Sequence, residues 1–267
     1  MSKYRWLYAA KAAVVHLGIS ILIILITAHA VFHVWFPYPY SSLAGGKELF
    51  LITVAVNVIC GPVLTFILVK PEKTRRELFL DLMVISVLQI LALGYGAFSI
   101  TQARPVILAF EADRFVAVTA AEIDPEKLAH APKNMQELSW SEPALVGTRS
   151  ASNIDEMLES IHLSMQGSEP SSRPGWWQDY ELSRATIIER MKPISRLVEA
   201  SPSARSAIEP IILQTSLPPA SIYYLPLVSR KSMDSWIVLL DQNANIIGYA
   251  PVGGFTDSKD PSPVEEK

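Results

Sequence analysis

The sequence predicts an α-helical membrane bundle of three transmembrane helices followed by a periplasmic α+β domain, an antiparallel sheet with helices on one face. Three observations carry this prediction. First, half of the 267 residues are hydrophobic and only 18% are charged, against about 25% in a typical soluble domain. Second, the charge is uneven. Residues 1–100 hold eight Lys/Arg and four Asp/Glu, a balance of +4, whereas residues 101–267 hold 15 basic and 22 acidic residues, a balance of −7. Third, long charge-free runs fill the first part, while short alternating runs and helical spacings fill the second. The lone cysteine, Cys60, excludes a disulfide framework. The acidic second part argues against nucleic-acid binding.

The expected spans are residues 12–36, 49–69 and 78–100, the last with only Asp81 near its start. Each reaches the ~20 apolar residues that a helix needs to cross a bilayer. A fourth charge-free stretch, Pro210 to Ser229, contains four prolines. It is rejected as a span because proline would leave backbone groups unpaired in lipid. Lys3, Arg5 and Lys11 precede the first span, and Lys70, Lys73, Arg75 and Arg76 separate the second from the third. These basic clusters place the N-terminus and second loop in the cytoplasm and everything after about Thr101 outside it. A competing reading takes the basic start, the apolar run to Thr27 and Ala28-His29-Ala30 as a cleaved signal peptide. The run continues through Phe36, which favours an uncleaved span.

Polar residues inside the spans are the first candidate sites. Asn57, Asp81 and Gln89 are read as helix-packing or partner contacts rather than an ion path. Asn57 and Gln89 are suited to an interhelical hydrogen bond, and Asp81 to the basic loop. Gly61-Pro62 predicts a kink, and Gly94 and Gly96 allow close approach of another helix. His29 and His33 share a helical face, but metal ligation needs more ligands than the other spans supply.

In the second part, Pro105–Phe110 and Arg114–Ala120 read as a hairpin. It is expected to bring Arg104 and Pro105 close to Asp113, Arg114 and Phe115 as junction or docking residues. Residues 124–150 read as mostly loop. Asn153 to Gln166 reads as a helix, with Asn153 as N-cap, Glu156 at the box position, and Ile154, Met157, Leu158, Ile161 and Met165 at helical spacing. Gly167–Gly175 reads as a mobile loop. Trp176-Trp177-Gln178 then enters a second helix that turns Tyr180, Ile187, Ile188 and Met191 inward and ends by Pro193. A third helix begins near Pro202 and is disturbed at Pro210. Ile222–Val228, Trp236–Asp241 and Asn245–Ala250 read as strands. The expected boundaries are 1–101 for the helices, 102–256 for the domain and 257–267 for a disordered tail.

No nucleotide-binding loop, zinc pattern or nucleophile motif is present in the sequence. Glu156 and Glu159 form a carboxylate pair best read as a solvated helix face. Trp176-Trp177 is best read as core. The expectation is a non-catalytic chain without cofactor or metal.

His16-Leu17, Gly61-Pro62-Val63-Leu64-Thr65, Lys70-Pro71, Leu88-Gln89 and Tyr95-Gly96 form a wider pattern. It continues with Ala103-Arg104-Pro105-Val106, Asp113-Arg114-Phe115 and Tyr224-Leu225-Pro226-Leu227. The pattern resembles the type IV pilin accessory proteins of the TfpX/TfpZ family, from about Tyr4 to Phe255. An acid often stands in that family where Asn57 stands here, which speaks against proton chemistry at this position. The resemblance implies an inner-membrane factor in type IV pilus biogenesis whose partner is a pilin. Such a subunit has one apolar helix in the bilayer and a globular head outside it. Two other classes stay open: a membrane-anchored ligand sensor working through a partner, and a membrane enzyme using Glu111, Asp113 and Glu122.

Overall fold

The computed structural model describes residues 3–255 apart from Ser201 and Ser216. The expected tail over 257–267 lies outside the described residues. The chain divides into two compact units. One runs to Arg104 and takes in Trp140–Glu142; the other holds the remainder.

The first unit is helical. Helix α1 (Lys3–His29) continues as a π-helical stretch, Ala30–Trp35, and a short α2 (Tyr40–Leu43) follows. Helix α3 (Gly46–Val54), a second π-helical stretch (Ala55–Cys60) and α4 (Gly61–Leu68) form one continuous rod, and α5 (Arg75–Ala103) completes the unit. Trp6–Trp35, Gly46–Leu68 and Arg75–Ala103 are long and apolar enough to cross a membrane. Each helix begins before its charge-free run, and polar residues form these first turns. Thr74 opens α5 with a reciprocal cap: its hydroxyl accepts from the Glu77 amide, and its own amide donates to the Glu77 carboxylate at 2.8 Å. Such a cap satisfies donors that the first helical turn leaves open. The kink expected at Gly61-Pro62 is a change of helical register just before the proline, the π-helical turn Ala55–Cys60.

The second unit is built on one sheet. Strands β1 (Pro105–Glu111) and β2 (Arg114–Thr119) form the expected hairpin around Ala112-Asp113. Then come β3 (Ala144–Thr148), helix α6 (Ile154–Met165), β4 (Trp177–Asp179), α7 (Tyr180–Arg190), β5 (Lys192–Pro193), α8 (Ile194–Ala200) and α9 (Pro202–Thr215). Strands β6 (Tyr223–Val228), β7 (Trp236–Leu240) and β8 (Ile246–Ala250) close the domain. The order is β4-β3-β1-β2-β6-β7-β8, with β5 paired to β6.

The sheet is mixed, not antiparallel as expected: β1 runs parallel to β3, and β2 parallel to β6. Each parallel pair joins strands separated by a long crossover, which local alternation cannot reveal. Nor do helices lie on one face only. Tyr180 of α7 stands 6.3 Å from Phe115, ring to ring. On the other side, α8 and α9 pack Ile194, Leu197 and Ile208 against Tyr224, Ile237 and Leu239. Phe115 is in register with Leu227, and Tyr224 is an odd number of residues from Leu227, so it points to the opposite face. All of β1 is buried, as a strand covered on both faces must be.

Other expectations shift locally. The 124–150 stretch contains β3, and Trp177–Asp179 is a strand rather than the start of a helix. Residues 167–175 form two packed 3-10 turns, Pro170–Ser172 and Pro174–Trp176, instead of a mobile loop. The indole of Trp177 donates to the Ser171 carbonyl at 2.8 Å and anchors them from below. A further helix, α8, separates Pro193 from the expected third helix.

Candidate functional site

Inside the helical unit, polar side chains meet where apolar ones were free to go. His16 of α1 lies between Thr65 of α4 and Gln89 of α5. Gln89 donates through Nε2 to the backbone carbonyl of Asn57 at 3.0 Å, which leaves its Oε1 as acceptor. His16 must therefore donate from Nε2 to Gln89. In the neutral ring Nδ1 then accepts from the Thr65 hydroxyl, 2.6 Å away. The chain of bonds ties all three long helices together at one level.

The backbone explains why Gln89 is needed. Pro62 has no N–H, so a carbonyl four or five residues earlier loses its helical donor. In the π-helical register that carbonyl belongs to Asn57, and the Gln89 amide supplies the bond. Access depends on Gly61, where a Cβ would stand 1.9 Å from Gln89 Nε2.

Asn57 and Gln89 do meet, but through the Asn57 carbonyl; the Asn57 side chain turns back to the Thr53 carbonyl at 2.9 Å. Asp81 pairs with Lys73. Gly96 lies against Thr53, whose Oγ1 a Cβ would meet at 2.7 Å, whereas nothing lies within 4 Å of a Cβ at Gly94. His29 and His33 stack with ring centroids 4.7 Å apart. Among the described residues, no group of three or more His, Cys, Asp or Glu gathers as a metal site. The role of His16 was missed, although its place in an otherwise charge-free run was a signal.

Beside this junction, α1 and α5 border a cleft of about 630 Å³. Tyr8, Lys11, Val15, His16, Ile19 and Ser20 line it from α1, and Leu82, Ser86, Gln89, Ile90 and Leu93 from α5. Its walls are mostly apolar, and small Ala12, Ser20 and Ser86 leave room for close backbone approach of a further helix.

The second predicted group does not assemble. Pro105 pairs with Thr119 at one end of the hairpin, and Asp113 sits in the turn at the other. A seven-residue strand separates those ends by roughly 20 Å. Arg104, next to Pro105, donates to the Thr101 carbonyl at 2.7 Å and lies 4.2 Å above the Trp140 ring. Arg114 faces Glu111 at 4.0 Å instead of Asp113, and Phe115 is core.

A polar cluster that sequence reasoning missed holds α6 in the second unit. Arg149 contacts Glu156 through two bonds of 2.6 and 3.2 Å and the Gly175 carbonyl through a third. Arg173 donates to Ser160 Oγ at 2.6 Å. Both guanidinium carbons lie 4.6 Å from the Trp176 ring centroid. Arg149, aided by the Ser152 amide, holds the Glu156 carboxyl down to about 2. Glu156 is thus a structural anion, while Glu159 remains on the exposed side. Buried Glu111 accepts from the Ser171 amide at 2.7 Å. Trp177 is core, and Trp176 is the platform for the two arginines.

Residues 4–45 match the family Fimbrial assembly protein FimB. Two fimbrial assembly proteins of Dichelobacter nodosus, of serogroups I and E1, are 30% and 31% identical to this chain over 256 residues, covering 96% of it and 99% of each relative. The chain belongs to the fimbrial assembly protein family. A third fimbrial assembly protein of that organism, of serogroups C1 and C2, is 37% identical over 131 residues, 49% of this chain and the whole of that relative. No solved structure matches. The segment matching FimB carries His16, His29 and His33, and the full-length likeness to fimbrial assembly proteins takes in both units. A role in fimbrial biogenesis follows.

Proposed function

We propose that this fimbrial assembly protein is a non-catalytic accessory factor of type IV pilus biogenesis, of the TfpX/TfpZ kind. It sits in the inner membrane with its N-terminus in the cytoplasm and its sheet domain in the periplasm. It assists assembly and surface presentation of a cognate pilin. The observation that carries this reading is one chain that joins a cleft between membrane-length apolar helices to a separate mixed-sheet unit. A pilin awaiting assembly has the same two parts, an apolar helix and a globular head. Two linked contacts of modest strength give an avidity that neither gives alone. The cleft beside His16 and Gln89 suits the pilin helix, because small side chains and satisfied polar groups let a helix approach closely. The test is deletion of the chain with separate measurement of surface pili and total pilin. Surface pili should fall while pilin remains in the membrane; unchanged piliation overturns the reading.

A further inference from the structure

Helix α6 sits inside out. Glu156, Ser160 and Ser164 face their own domain, where Arg149 and Arg173 hold the first two. Ile154, Met157, Leu158, Ile161 and Met165 form a continuous stripe at helical spacing, yet they are 48 to 83% exposed. Leu182 of α7, 70% exposed, faces Ile161 and Met165 across a cleft of about 800 Å³. A twelve-residue helix makes the stripe roughly 18 Å long. An apolar surface of that extent in an aqueous domain marks an interface. The polar residues spent on docking the helix inward are what leave its apolar residues free.

Charge selects among the occupants. Asp155 and Glu159 are exposed beside the stripe, Glu169 lines the cleft, where Arg149 is already paired with Glu156, and the residues after Ile100 carry −7. An anionic lipid surface is repelled by such a flank. A second copy would bring the same acids against themselves. A protein with an apolar patch rimmed by Lys and Arg is attracted. We propose that the α6 stripe, with Leu182, is a docking face for a partner protein of that chemistry. Resting on the function proposed above, the partner is the extramembrane head of the pilin.

The experiment places a photo-crosslinking amino acid at Leu158 or Met165 of the full chain in its own cells. After irradiation, adducts are probed with antibody to the pilin. A pilin adduct is expected, and it should weaken in an Asp155→Lys, Glu159→Lys background. An adduct only to a second copy, only to lipid, or none at all overturns the proposal. In parallel, the pair Leu158→Ser, Met165→Ser should lower surface pili about tenfold, the loss expected of interface anchors, at unchanged level of the chain. If deletion of the chain abolishes piliation but the pair does not lower it and no pilin adduct forms, the docking face falls and the accessory function stands. If deletion leaves piliation unchanged, the accessory function falls, and the pilin as occupant with it.

Discussion

The helical unit and helix α6 share one pattern, polar residues turned inward and apolar residues outward. In the helical unit His16, Asn57, Thr65 and Gln89 turn inward, while Ile26, Ile90 and Leu91 stay exposed. In α6, Glu156 and Ser160 turn inward and five apolar residues stay exposed. Among lipid tails the first arrangement is ordinary, because exposed apolar surface costs nothing and polar groups are the glue. Next to water the second costs free energy that only a covering partner recovers. Polarity of the inner face thus acquires its meaning from the medium on the outer face.

The largest effect should come from Gly61→Val. A side chain there collides with Gln89 Nε2, removing the bond to Asn57 and parting the helices. Overpacking and lost bonding together should cost about 3 kcal/mol. Thermal denaturation in detergent would measure it, and adding Gln89→Ala should recover part of the loss by vacating the space. A Gly61→Val chain as stable as the parent would break the comparison, since the polar junction would then not hold the helices.

The next effect concerns the attachment of α6. Glu156 ionises at about 2 in the folded chain and near ~4.3 when unfolded. Its pKa is depressed by folding, so its contribution is fully present above the unfolded value. That contribution is lost as pH falls toward about 2. Hydrogen exchange should show α6 opening in that window before strands β1 and β6. Arg149→Ala should produce the same selective opening at neutral pH. Equal loosening of α6 and the sheet would mean the polar clamp is not what attaches the helix.

The smallest effect sharpens the contrast from the sheet side. Ala112 holds a left-handed φ of 57° in the hairpin turn, a conformation that favours glycine. Ala112→Gly should stabilise the sheet unit by about 0.5–1 kcal/mol, read as a higher denaturation midpoint, with no change in the His16 junction.

Much of the fold was legible because the signals were local. Charge-free runs marked the helices, the turn residues Glu111-Ala112-Asp113 marked the hairpin, and Asn153 marked the start of α6. Strands β3 and β4 were not legible, since Gly147 interrupts the apolar run of β3 and the three residues of β4 are too few for alternation to show. The parallel pairs depend on residues far apart in sequence. At the junction, Gln89 and Asn57 could be named, but not the fact that a missing proline N–H makes the Asn57 carbonyl the acceptor. The α6 stripe was visible as a period, but a period does not say which side faces the domain. Only Arg149 and Arg173, brought together by Trp176, decide that.

The parallel pairing of β2 with β6 has a consequence in time. Phe115 meets Leu227, about 110 residues further along the chain. At roughly 5–20 residues per second of synthesis, the outer edge of the hairpin waits of the order of 10 s for its neighbour. An unpaired strand edge recruits other chains. The nascent domain therefore passes through a vulnerable interval that ends only when its final three strands arrive.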